Sequence, residues 1–221
     1  MTEEEWVSGA WSGRLLEFTK RIPQLSAQVR GRKYRLAAVE MLRAFLPADS
    51  AVGVLTVLNA AEQLCAGAMS LRDARAVYAA AEFPRRIRSE SNWRLIAAAL
   101  VEADSFVCAR EIAGATQSGP GKTPAVVRGL PSFHGVQCRI IRDVFGNPFR
   151  PVAFSPEWRT DTAVSLARGM YETRDFSAMP ILADALQDAG CDSDDVLYHC
   201  RDANAAHVRG CWAVDLVLGM A

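Results

Sequence analysis

"KYRLAAVEMLRAFLP" (33–47) decides the fold. Tyr34, Ala37, Ala38, Met41, Leu42 and Phe45 recur at steps of three and four. That spacing puts them on one face of an α-helix, and Pro47 predicts its end. The same period runs outward in both directions. Thr2 and Glu5 form a capping box ahead of Trp6. An Ala- and Leu-rich helix is expected over 51–67, then one begun by Ser70 and Asp73 and stopped by Pro84. Residues 90–115 read as one long, mostly helical stretch. The segment 132–146 ends at Gly146, a residue suited to the left-handed position after a helix. Ser155 and Pro156 start a short helical turn. Helices follow in "DTAVSLARGMYETRDF" (161–176), in "AMPILADALQDAG" (178–190), over 193–201 and over 208–219. Only "PAVVRGL" (124–130) hints at strand alternation. The expected fold is therefore all-α: an irregular multi-helix bundle or short array of helical hairpins, with about nine or ten helices.

The segment "TQSGPGKTPAVVRGLP" (116–131) interrupts this pattern with three Gly and three Pro. It reads as a linker between a helical subdomain 1–115 and a second one, 132–221. Leu182, Leu186, Val214 and Leu218 should share a core in the second.

Composition narrows the class of protein. Half of the 221 residues are hydrophobic, and 25 basic residues balance 25 acidic ones. Such a chain folds, and zero net charge argues against a dedicated nucleic-acid binder. The basic runs "RGRKYR" (30–35) and "PRRIR" (84–88) read as solvated helix ends. No apolar run reaches the ~20 residues of a membrane span. "MTEEEW" carries no leader-like pattern, so the expected compartment is the cytoplasm. Six cysteines are then expected to be free or metal-bound.

"TQSGPGKT" (116–123) imitates a phosphate-binding loop, but Thr116 occupies the position of the first glycine. His134 and Cys138, at i and i+4, could touch, yet no third residue orients them.

The densest cluster is "CDSDDVLYHCRDANAAHVRGCW" (191–212), with three cysteines and two histidines. A helix over 193–200 would hold Cys191 and Cys200 roughly 13 Å apart, too far to share an ion. Cys200, His207 and Cys211 remain as a candidate zinc set. His207 and Cys211 would be i, i+4 neighbours at the start of the last helix. His199 is a poor fourth ligand, being adjacent to Cys200. The alternative makes the cysteines buried hydrophobes and His207 a capping residue, with no cofactor.

"FGNPFRP" (145–151), "LADALQDAGC" (182–191) and "HVRGCW" (207–212) resemble motifs of an uncharacterised bacterial family. Its members carry a GNPFRP loop, a DALEDAGC-like helix and an HVRGCWVVDLLLG-like tail. "MTEEEW", "LLEFTK" (15–20) and "RKYRLAAVE" (32–40) extend the likeness to the start of the chain. The resemblance implies kinship and fold, and no activity. These motifs also suggest a latch. Asp215 is the only charge in "GCWAVDLVLGM" (210–220), a helix apolar on every side from Cys211 and Trp212 onward, so it needs a buried partner. Arg150, in the proline-bounded loop, is the expected one. The functional expectation is a non-enzymatic helical interaction or scaffold module whose partner is another protein. The alternative is a zinc- or thiol-dependent enzyme using 199–211.

Overall fold

A computed structural model describes residues 1–46, 52–82, 97–118, 133–202 and 204–221. The basic run 84–88, the strand-like 124–130 and most of the segment 116–131 lie outside the described residues. Among those described, ten helices have seven residues or more and no strand occurs, so the fold is all-α. No described helix is long and apolar enough to cross a membrane.

The chain order is α1 (Glu3–Ser8), α2 (Ser12–Thr19), α3 (Ala27–Phe45), α4 (Val52–Cys65), α5 (Leu71–Ala80), α6 (Ser105–Ser118) and α7 (Phe133–Phe145). A 3-10 turn (Pro156–Trp158) leads to α8 (Asp161–Thr173), α9 (Met179–Asp188), α10 (Asp194–Arg201) and α11 (Trp212–Leu218). The capping box forms: the Glu5 amide donates to Thr2 Oγ1, and the Thr2 amide donates to Glu5 Oε2. Ser70 and Ser155 cap their helices as expected. The mostly helical stretch 90–115, of which 97–115 are described, is interrupted at 101–104, where Asp104 caps a new helix by accepting from the Phe106 and Val107 amides.

Two apolar cores result. The first gathers buried residues from Trp6 to Phe145 around α3, which packs against α6, α7 and α4. The second runs from Trp158 to Val217 and is built by α8–α11. Leu182, Leu186 and Val214 are fully buried there, and Leu218 packs partly buried beside them. Helix α7, counted with the C-terminal half by sequence, sends Cys138, Ile140, Ile141 and Val144 into the first core. The change of core thus comes after Phe145.

Helix α3 departs from its sequence reading. It is enclosed on all sides from Lys33 to Leu42, not on one stripe. Its basic residues are not solvated, because their donors are spent internally. Arg30 donates to the Ile22 and Leu25 carbonyls, and Arg35 to those of Leu100 and Glu102. Arg32 makes a two-pronged pair with Asp215 at 2.7 and 3.2 Å, and Lys33 donates to Val144 O at 2.7 Å and Asp215 at 3.4 Å.

Arg32 and Lys33 with Asp215 form part of a polar seam between the cores. Asp215 is fully buried and paired, as it must be, but with Arg32 and Lys33. Arg150 does not reach it; exposed, it pairs with Glu3 at 2.5 Å and Asp195 at 3.7 Å. A loop residue at the surface cannot supply a fork to a carboxylate that α3 already covers. Elsewhere in the seam Glu62 meets Arg43, Arg174 and Arg209, and Glu40 meets Arg174 at 2.6 Å. Burial raises the Glu40 carboxyl above its ordinary range, against the pull of Arg174.

Candidate metal centre

Four potential ligands converge in this seam: Asp143, His199, His207 and Cys211. They come from α7, α10, the 204–210 loop and the residue that opens α11. One donor atom from each lies within 4.8 Å of all the others. His199 Nε2 is 3.1 Å from Cys211 Sγ and 3.3 Å from Asp143 Oδ1. His207 Nδ1 is 3.2 Å from Asp143 Oδ1 and 3.9 Å from Cys211 Sγ. Zinc bonds of ~2.0–2.3 Å in a tetrahedron require donor separations of roughly 3.3–3.8 Å. The observed edges bracket that range. The imidazoles stand at 87° to each other with centroids 4.8 Å apart, so each ring can aim a lone pair at a common centre.

The surroundings hold the donors in place. Asp143 Oδ2 accepts the Val208 amide at 2.9 Å, which leaves Oδ1 to face both histidines. Trp212 lies on the other side of His199, with centroids 4.9 Å apart. Gly146, at φ 70°, lets that indole approach: a Cβ there would sit 3.1 Å from Trp212 Cγ. The GNPFRP loop and the HVRGCW tail are therefore latched, through Gly146 with Trp212 and Asp143 with Val208, not through Arg150. Gly210, at φ 92°, brings the tail close over α3; a Cβ would lie 2.8 Å from Leu36 Cδ1.

The electrostatics suit a cation. Burial pushes the Cys211 thiol well above its usual range, and the Asp143 charge adds to this. A metal reverses that, since a coordinating thiol is held deprotonated. Burial alone would raise the Asp143 carboxyl too, but hydrogen bonds and charge from His199 and His207 outweigh it and the net shift is downward. His207 Nε2 is buried and meets no hydrogen-bond partner among the described residues. As an Nδ1 ligand, His207 would carry its proton there.

Of the sequence-derived set, His207 and Cys211 are in the cluster and Cys200 is not. Cys200 is buried in the second core with Val196 and Leu197. His199, set aside for being next to Cys200, takes the place instead. Adjacent residues on a helix point about 100° apart, so only one of the two can face the site. Cys191 lies in the second core, outside the cluster. The last helix begins only at Trp212, so the loop and Gly210, not a helical turn, bring His207 to Cys211. Asp143 escaped the sequence reading entirely.

The other thiols are poor nucleophiles. Burial pushes Cys65, Cys108 and Cys200 up to about 12. His134 packs tilted against Trp11 with centroids 5.1 Å apart, while Cys138 is buried with its thiol raised by burial. Comparison with protein-family models, curated proteins and solved structures gave no match.

Proposed function

We propose that this chain is a zinc-binding helical interaction module, in which one ion held by Asp143, His199, His207 and Cys211 clamps the second core onto α7. The observation that carries this is the convergence of four donors, from separate elements, within 4.8 Å of one another. Four protein ligands make a closed site, the pattern of zinc that stabilises a fold rather than activates water. Chain segments that are far apart in sequence would gain folding energy from the ion itself, on the order of 10 kcal/mol for structural zinc. A partner protein would use the outer helical faces, where Trp11, Ile181 and Tyr198 are exposed. A zinc- or thiol-dependent enzyme has less support, since the thiols are pushed up and the donor set leaves no ligand position for water.

The test is metal content with thermal stability. Purified protein should carry one zinc per chain, and a strong chelator should lower its melting temperature. Cys211→Ser should lose both the metal and the chelator sensitivity. Metal-free protein with a chelator-insensitive melt would leave only buried thiols and two structural histidines.

A further inference from the structure

Beside the seam lies a cleft of about 460 Å3 between α1, α7, the 146–152 loop and α11. Its volume is within the ~300–1,000 Å3 of sites that take small organic ligands. We propose that it binds a small amphipathic anion: an apolar body with a single carboxylate-type head. The cleft shares His199 with the candidate metal centre, but the inference needs no bound ion.

The walls are mainly apolar, with Trp6, Phe145, Trp212, Val152, Ile22 and Leu216 among them. Three cations line it as well, Lys33, Arg142 and Arg150, the last paired with Glu3 and Asp195. Arg142 donates from Nε to the Trp6 carbonyl at 2.7 Å and from Nη2 to the Gly9 carbonyl. Both acceptors are neutral, so among the described residues no carboxylate offsets this guanidinium. Lys33 is 2% exposed, and its three N–H groups meet two acceptors, Val144 O and Asp215 Oδ2. It shares Asp215 with Arg32. Arg32 and Lys33 thus share one buried carboxylate, while Arg142 meets only carbonyls among the described residues. Burying charge without a counter-ion is costly. An anion entering the cleft would relieve that imbalance. Among the described lining residues the one acidic side chain is Asp195, which pairs with Arg150. A bare oxyanion would leave the aromatic walls unmatched, and a neutral apolar ligand would leave the cations unmatched.

The test uses the full chain and 1-anilinonaphthalene-8-sulfonate as fluorescent probe, displaced by decanoate, decanol or decyltrimethylammonium. Saturable probe binding is expected, with decanoate displacing at about tenfold or more lower concentration than decanol, the worth of one charge-assisted hydrogen bond. The ammonium should not compete. Arg142→Gln should remove the preference for decanoate while leaving decanol unchanged. Because Arg142 also ties down two carbonyls, a second variant is needed. Val152→Trp fills the cleft from a partly exposed loop and should abolish probe binding with an unchanged melt. Equal displacement by decanoate and decanol, undiminished binding in Val152→Trp, or no saturable binding would each overturn the proposal.

Discussion

Asp215 has no exposure, and Arg32 and Lys33 flank it. Replacing Asp215 by Ala would strand two cations in the interior, at a cost of about 3–5 kcal/mol. A denaturation-based double-mutant cycle should show Arg32 and Asp215 strongly coupled. Arg150, more than half exposed, should give losses that simply add to those at Asp215, and Arg150→Ala alone should cost about 1 kcal/mol or less. Additive losses for Arg32 and Asp215 would mean that their contact contributes nothing. Asp143 carries a pH signature in the metal-free protein. Its carboxyl is held below the ordinary range, so the stability it supplies is present above its unfolded pKa, that is, at neutral pH. That stability is lost as pH falls through the lowered folded value. Asp143→Asn should flatten this acid limb of the stability profile; an unchanged limb would assign acid sensitivity elsewhere. That Asp215 needed a partner could be read from one acid in an apolar helix. Which partner could not, because Arg32 lies 183 residues away along the chain.

Helix α10 shows how far periodicity reaches. Val196, Leu197 and Cys200 are all buried, at i, i+1 and i+4. Cys200 is in phase with the apolar stripe, and His199 stands off it, toward α11. That phase is legible in the sequence and sets His199, not Cys200, beside Asp143 and Cys211. Ligand chemistry alone favours the cysteine, which is how the choice went astray. Asp143 had a signal too: it continues the Val136, Ile140 line of α7, an acid where the stripe calls for an apolar residue. Its neighbours in the cluster are more than fifty residues away, so nothing local announces them. The consequence is measurable by metal titration. His199→Ala should weaken zinc binding by at least about tenfold, a full ligand being worth no less than the 10- to 100-fold of an outer-shell partner. Cys200→Ala should leave zinc affinity unchanged and cost only packing. The reverse pattern would restore the set Cys200, His207 and Cys211.

Across the whole molecule, each apolar core is locally periodic and was legible as helices, caps and stripes. The seam that joins them was not. It is built of charged residues that look solvated in one dimension: Arg32 and Lys33 of "RGRKYR", Glu40, Glu62, Arg174 and Arg209. Two cores meeting through buried charge need something to fix their register, and the four donors sit where α7 meets α10 and α11. Cobalt substitution tests that claim most directly. The account predicts uptake of one Co(II), the intense visible bands of a tetrahedral site and a thiolate-to-metal band in the near ultraviolet. The thiolate band should vanish in Cys211→Ser and persist in Cys200→Ser. No uptake, a weak octahedral spectrum, or a thiolate band that disappears with Cys200 instead would contradict it.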